Sequence, residues 1–125
     1  MGLLDRFFGS RVKLDSAAVQ RLDTWRGLPE ANLAEEFDGT RYVVVDVETT
    51  GLDLVRDRLI AIGACAVENG EVVMADSFEI VLRQERVSGK DNILIHGIGG
   101  EAQREGEEPE QALLHFLDFL GKSPL

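Results

Sequence analysis

The 125 residues are 44% apolar and 29% charged, with 23 acidic against 13 basic side chains and a formal net charge of −10. That length admits one domain and a short extension, the composition is ordinary for a soluble protein, and no apolar run approaches the ~20 residues that span a bilayer. The acidic balance excludes a broad basic footprint for nucleic acid, and the single cysteine, Cys65, excludes an internal disulfide or a cysteine-built zinc site.

The opening Met1-Gly-Leu-Leu-Asp-Arg6 has neither the basic front nor the small-residue cleavage site of a signal peptide. Arg6 stands where a myristoylation motif needs Ser or Thr. The expected location is the cytoplasm. Residues 1–38 read as a helical extension separate from the core. Leu3, Leu4, Phe7 and Phe8 make a short amphipathic patch ended by Gly9-Ser10. Asp15 or Ser16 is placed to cap a helix carrying Val19, Leu22 and Trp25, stopped at Gly27. Pro29 suits the first turn of another, with Leu33, Ala34 and Phe37 on one side. Such an arm either docks on a partner or packs on its own domain, and packing is the simpler expectation. Asp38-Gly39 breaks the chain before the main domain, residues 39–125.

Tyr42-Val43-Val44-Val45-Asp46-Val47-Glu48-Thr49-Thr50-Gly51-Leu52 then predicts a strand ending in two acids and a turn. Its β-branched run suits a strand covered on both faces. Asp46 interrupts it, and an acid in a buried strand is costly unless something positive meets it. Asp46 and Glu48 share one strand face, with Cα atoms about 6.7 Å apart. Their carboxylates are able to converge on ions about 3.5–4 Å apart, the spacing of a two-metal hydrolytic site. Gly51 allows a sharp turn that leaves both carboxylates at an open strand end. Solvated acids capping a strand explain an Asp-x-Glu alone. The apolar residues before the pair and Thr-Thr-Gly-Leu after it favour a site.

Asp53 to Arg58 is a polar connection. Leu59–Val67 is apolar throughout and predicts a second strand, with Gly63 marking a bulge or close packing and Cys65 a small core residue. Glu68-Asn69-Gly70-Glu71 is a hairpin signal, because both central residues tolerate positive φ. Val72–Leu82 returns as a third strand with Val73, Ala75 and alternating Phe78, Ile80 and Leu82, so the three strands form an antiparallel meander. Residues 83–100 read as a loop ending in Ile93-Leu-Ile-His-Gly-Ile-Gly-Gly100. Glu101–Glu110 reads as a solvated loop and helix start. Pro109 opens a helix whose Leu113, Phe116, Leu117 and Leu120 form one stripe, stopped by Gly121 and Pro124. His115 falls on its polar side with Gln111 and Asp118. His96, between apolar residues and glycines, suits either a packed loop histidine or a substrate contact.

The Asp46-Val-Glu-Thr-Thr-Gly-Leu52 motif, the apolar strand with its Asn-Gly hairpin, and the later Ile95-His96-Gly97-Ile98 resemble the DnaQ-like group of the DEDD exonuclease superfamily. That group includes the proofreading epsilon subunit of DNA polymerase III. The resemblance covers residues 41–125. It implies an α/β, RNase H-like fold, present here as a three-strand antiparallel meander with helices. It implies two Mg²⁺ or Mn²⁺ ions and stepwise hydrolysis of DNA or RNA from the 3′ end, with DNA and a proofreading-like role expected. Asp46 would bridge both metals, and Glu48 would bind one and help position the attacking water. Thr49 and Leu52 would touch the terminal nucleotide, Leu52 as a wedge against its base. His96 would be a nucleotide contact and not the general base. The implied partners are a single-stranded 3′ end and DNA polymerase subunits, with no membrane.

Family members also need two further aspartates and a histidine or tyrosine beyond the helix that ends at Gly121, whereas the sequence stops at Leu125. The expectation is the N-terminal half of an exonuclease domain, carrying only the first catalytic motif and inactive alone. The alternative is a non-catalytic partner- or nucleotide-binding module. An aspartate-nucleophile phosphatase fits worse, since its second acid is an Asp and its parallel strands conflict with the Asn69-Gly70 hairpin. Without a fourth strand, Tyr42–Val47 becomes an exposed edge, a template for a second copy or a complementing strand. The Leu3–Phe8 arm is the competing internal cover.

Overall fold

The computed structural model describes residues 13–125, so the Leu3–Phe8 patch lies outside the described residues. Helix α1 spans Ser16–Arg26 and starts as its capping residues dictate: the Asp15 carboxylate accepts the Ala18 N–H at 2.7 Å, and Gly27 follows the last turn. The helix expected after Pro29 does not form. Residues 29–40 make turns instead, and the Asn32 side chain accepts the Ala34 N–H, a local bond that competes with helical pairing. Leu33 and Phe37 are exposed, with Phe37 stacked on Tyr42 at 5.3 Å.

Three antiparallel strands follow, β1 (Tyr42–Thr49), β2 (Leu59–Glu68) and β3 (Glu71–Val81), in the order β1-β2-β3. The β2–β3 turn has Asn69 at φ 52° and Gly70 at φ 78°, the positive-φ pair a tight hairpin requires. Gly63 pairs regularly with Asp46 and Glu79 and marks no bulge. The irregularities fall between Glu48 and Thr49 and between Cys65 and Ala66, where Met74–Asp76 lie outside the paired register of β3.

Residues 83–100 are not simply a loop. Helix α2 spans Lys90–His96 and ends at Gly97, whose φ of 75° is the left-handed C-terminal stop. It buries no residue, so it carries no apolar stripe for a sequence to reveal. A short α3 (Gly100–Arg104) interrupts the acidic stretch and buries Gln103 completely. Helix α4 (Pro109–Leu120) forms as expected. Its Ala112, Leu113 and Phe116 pack on Leu59, Ile62, Phe78, Ile80 and Leu82, which make the core of the sheet. His115 is exposed.

The core covers β2 and β3 more fully than β1. Only Val43 is buried in β1, while Val44, Val45 and Val47 are exposed, so the strand is not covered on both faces. Its outer edge is met by the chain's own C-terminal segment, the Val43 N–H donating to the Pro124 carbonyl at 2.9 Å.

Helix α1 lies against α4. Arg21 donates to Gln111 at 3.1 Å and to Asp118 at 2.6 Å, the Trp25 indole N–H donates to the Gly121 carbonyl at 2.7 Å, and the Lys122 ammonium sits 3.8 Å above the Trp25 ring. The main tie between helix and sheet is Arg41. Its guanidinium holds both Asp76 oxygens at 2.6 and 3.0 Å, donates to Ser123 Oγ at 2.8 Å and to the Phe119 carbonyl at 3.2 Å, and stacks over the Phe119 ring at 4.8 Å. The carbonyls at the end of α4 lack helical partners, so a cation there satisfies both hydrogen bonding and the helix dipole.

Arg41 holds the Asp76 carboxyl below the usual carboxylate range, and Asp76 in turn raises the Arg41 guanidinium. A carboxyl lowered in the folded state adds stability above its unfolded value of about 3.9 that is lost as pH falls through the folded value. Arg41→Ala is expected to destabilise the chain by about 1–3 kcal/mol at neutral pH. Asp76→Asn should remove one acid-labile component of stability below about pH 4. Urea titrations from pH 7 to 2 check both, an unchanged acid limb in Asp76→Asn being the contrary result.

Candidate active site

Asp46 and Glu48 lie on one face of β1, directly across from Gly63 and Ala61 of β2. Paired residues share a face, so the row runs from Asp46 over Gly63 to Glu79 of β3. A methyl group built at Gly63 would meet nothing within 4 Å. The two carboxylates therefore stand beside small residues, with open space above Gly63, while Ala61 is buried. Asp46 is exposed and Glu48 half-buried. Among the described residues neither forms an ion pair with Lys or Arg. Both keep their oxygen lone pairs available to a cation.

The turn after β1 is held by its own side chains. The Asp57 carboxylate accepts the Thr50 hydroxyl and the Asp53 N–H, both at 2.8 Å, and Thr50 Oγ1 accepts the Arg58 N–H at 2.9 Å. Asp53 accepts the Val55 and Arg56 N–H groups, which hold its carboxyl below the usual range. Gly51 is not among the positive-φ glycines. It is required by space: a Cβ there would collide with the Asp57 carboxylate, lying 2.8 Å from its Cγ. The braced turn projects Leu52, which is 97% exposed, with Leu54 and Val55 beside it.

Thr49 ends β1. Its hydroxyl donates to the Gly51 carbonyl at 2.7 Å, and its own carbonyl accepts from Asn92 Nδ2 of α2 at 3.0 Å. Asn92 Oδ1 lies 2.8 Å from His96 Nε2, so His96, half-buried at the end of α2, joins the strand end through one side chain. Asp46, Glu48, Thr49 and His96 are thus brought into one connected region, and Leu52 stands at its rim.

Two carboxylates presented together are hard oxygen donors, the set Mg²⁺ and Mn²⁺ prefer. Mg²⁺ keeps several waters and commonly takes one or two carboxylates with substrate phosphates, so the pair fits one such ion. Among the described residues no group of three or more His, Cys, Asp or Glu side chains is placed to hold a metal.

The sequence profile of the RNase T exonuclease family matches residues 43–125. The chain belongs to the exonuclease family. It is 34% identical over 87 residues to the PolC-type DNA polymerase III of Thermotoga petrophila and 32% identical over 80 residues to that of Bacillus subtilis. Those matches take 70% and 64% of this chain but only 6% and 5% of the polymerases. Among solved structures the chain resembles cell-death related nuclease 4, with a TM-score of 0.56, 17% identity, and coverage of 64% of this chain and 29% of that one. It also resembles E. coli ExoI in a metal-free complex with ssDNA, with a TM-score of 0.52, 21% identity, and coverage of 66% and 19%. At these identities the likeness is one of fold, the RNase H-like exonuclease fold expected from the Asp46–Leu52 motif. No helix of the described residues is long and apolar enough to cross a membrane.

Three polar residues of this exonuclease-family chain were not singled out from sequence. Asn92 binds the strand end. Gln84 and Gln103 are buried yet fully engaged: Gln84 donates to the Leu59 and Leu82 carbonyls and accepts from Arg58, and Gln103 donates to Ser88 Oγ and the Ile98 carbonyl. Asn92 stands four residues before His96, a spacing that becomes informative only once 90–96 is known to be helical. Gly51→Ala is expected to cost about 1–3 kcal/mol through overpacking against Asp57. It should also raise amide exchange at Asp53, whose N–H Asp57 accepts. Unaltered stability and exchange would show that the turn absorbs a methyl group.

Proposed function

We propose that this chain carries the first metal-binding motif of a metal-dependent 3′–5′ exonuclease acting on DNA, in the setting of a DNA polymerase. One observation supports it above the others: Asp46 and Glu48 share one face of β1, with open space over the neighbouring Gly63 and no ion pair to Lys or Arg among the described residues. Asp46 and Glu48 hold Mg²⁺ or Mn²⁺, two such ions once the remaining ligands are supplied. When bound, such ions stabilise charge on a phosphodiester and favour an attacking water.

The chain's own residues position and restrain. Glu48 orients water beside the scissile phosphate. Thr49 and the braced Leu52 meet the terminal nucleotide, Leu52 offering an apolar edge to its base. Both His96 ring nitrogens are hydrogen-bonded within the protein, so His96 presents its ring face to the nucleotide rather than a free nitrogen. Residues 1–38 act as an extension to the nuclease part, 39–125. The Tyr42–Val47 edge, bonded at Val43 to Pro124, remains a site for a further strand or a second copy. The expected location is the cytoplasm.

Two carboxylates do not complete a two-ion site, and no third ligand joins them among the described residues. Turnover therefore needs groups beyond this pair. That observation favours, as second reading, a chain that binds nucleotide or partner without hydrolysing it.

Titration calorimetry of the 125-residue chain with Mn²⁺ should show weak binding that disappears in Asp46→Ala. Equal binding by the variant would remove Asp46 from the site. With a 3′-labelled single strand and Mn²⁺, nucleotide release by the same chain should be negligible, because losing ligands or the base costs far more than one contact. Robust, Asp46-dependent release would show instead that residues already present complete the site.

A further inference from the structure

We infer that Asn92 is a positioning residue: oriented by His96, its side-chain amide fixes the carboxylate-bearing end of β1. The hydrogen-bond directions follow from one backbone group. The Ile98 N–H donates to His96 Nδ1 at 2.9 Å, so Nδ1 carries no hydrogen and the neutral ring carries its proton on Nε2. Nε2–H then faces Asn92 Oδ1 at 2.8 Å, with the Ser88 hydroxyl oxygen a second acceptor at 3.2 Å. Asn92 Oδ1 is thereby the acceptor, and Nδ2 is left to donate to the Thr49 carbonyl at 3.0 Å. Rotating the amide by half a turn would set Nδ2–H against Nε2–H and Oδ1 against the Thr49 oxygen. One amide orientation satisfies every partner.

The far side of the ring is fixed equally. Gln103, completely buried, donates to Ser88 Oγ and to the Ile98 carbonyl, both at 2.9 Å, and accepts the Ser88 N–H at 2.9 Å. The residues that set the ring are therefore set themselves, back to the buried Gln84, whose N–H donates to the Gln103 carbonyl at 2.8 Å.

The contact falls where the strand most needs it. The β1–β2 register shifts between Glu48 and Thr49, so the regular ladder is interrupted immediately beyond the second carboxylate before it resumes with Thr49 opposite Leu59. Asn92 binds the backbone at that break. A carboxylate whose own backbone is pinned loses less freedom when it takes a ligand, and outer groups that orient metal ligands raise affinity for that reason. This inference deepens the reading of Asp46 and Glu48 as a metal site and rests on it for the effect on affinity.

The test uses the full 125-residue chain with Asn92→Ala, the isosteric Asn92→Asp, and His96→Ala, with Lys90→Ala as a control on the same helix. Asn92→Asp keeps the acceptor for His96 but has no donor for Thr49. Long-range proton–nitrogen spectra of the wild type should show His96 protonated on Nε2. Relaxation dispersion should show new exchange at the Glu48–Thr50 amides in the three site variants and none in Lys90→Ala. Mn²⁺ binding, measured by calorimetry, should weaken about five- to tenfold in Asn92→Ala and Asn92→Asp, the worth of one lost hydrogen bond. Quiet strand-end amides in Asn92→Asp, or a His96 ring protonated on Nδ1, would overturn the positioning role. Asp46-dependent Mn²⁺ binding that Asn92→Ala leaves unchanged would overturn its effect on the metal while leaving the proposed function standing. No binding by the wild type would overturn the metal reading itself, and the amide data would still decide the role of Asn92.

Discussion

Arg41 is the contact on which the assembly of sheet and helix turns. A three-strand sheet with one helix over it has little surface to bury, and here that helix lies mainly over β2 and β3. Arg41, immediately before β1, reaches the irregular part of β3 through Asp76, the last turn of α4 through the Phe119 carbonyl, and the segment just beyond it through Ser123. One side chain thus fixes the start of β1, the displaced segment of β3 and the end of α4 relative to one another. Its bonds are charge-assisted and partly shielded, which makes them stronger than an exposed surface pair. The direction and height of β1 follow from that tie, and with them the position of Asp46 and Glu48.

At the other end of β1 the device is different. No cation meets the acids among the described residues. Their surroundings are set by small residues beneath, a turn locked by Asp57 beyond, and an amide from α2 at the side. Each contact acts on backbone or on a neighbour and leaves the carboxylate oxygens unused. Stability is invested around the pair, while Asp46 remains exposed and Glu48 half-buried with neither drawn into an ion pair among the described residues. The same logic explains why Gln84 and Gln103 are buried without penalty: each side-chain amide is paired, so neither bears the desolvation cost of an orphaned polar group.

The sheet and α4 were legible in the sequence because their signals are local and periodic. Asn69-Gly70 fixes the hairpin, the valine run and Leu59–Val67 fix the strands, and Pro109 with Gly121 bounds a helix of clear stripe. Asp15 and Gly27 did the same for α1. Misreadings arose where side-chain hydrogen bonds replace hydrophobic pattern. Residues after Pro29 carry a helical spacing, yet Asn32 turns the chain back on itself. Helix α2 buries nothing and is held by Gly97, Asn92 and His96, none of which periodicity detects. Gly51 was legible as a turn residue, and the structure adds the reason for glycine there, which is room for the Asp57 carboxylate without a positive φ. The site followed the same division. The acid pair stood out from its strand, whereas Asn92 needed the fold to place residue 92 against residue 49.

The charge distribution sets how such a surface could meet a polyanion. Residues 42–125 carry sixteen acidic and seven basic side chains, so they have no general attraction for a phosphate backbone. Four of those seven fall in the β1–β2 connection (Arg56 and Arg58), just before α2 (Arg86) and at its first residue (Lys90). Arg58 is already engaged, donating to Gln84 and to the Arg86 carbonyl, and Arg56 pairs with Asp53. That leaves less free positive charge than the count suggests. The exposed side chains nearby are apolar instead: Leu52, Leu54 and Val55 on the turn, and Leu94 and Ile95 on α2. Unstacked bases present apolar faces that such side chains are able to cover, and those faces exist at a frayed or single-stranded end rather than within a duplex. On the function proposed above, weak backbone attraction, an acid pair suited to a cation and an apolar rim would together favour the end of a strand over its middle.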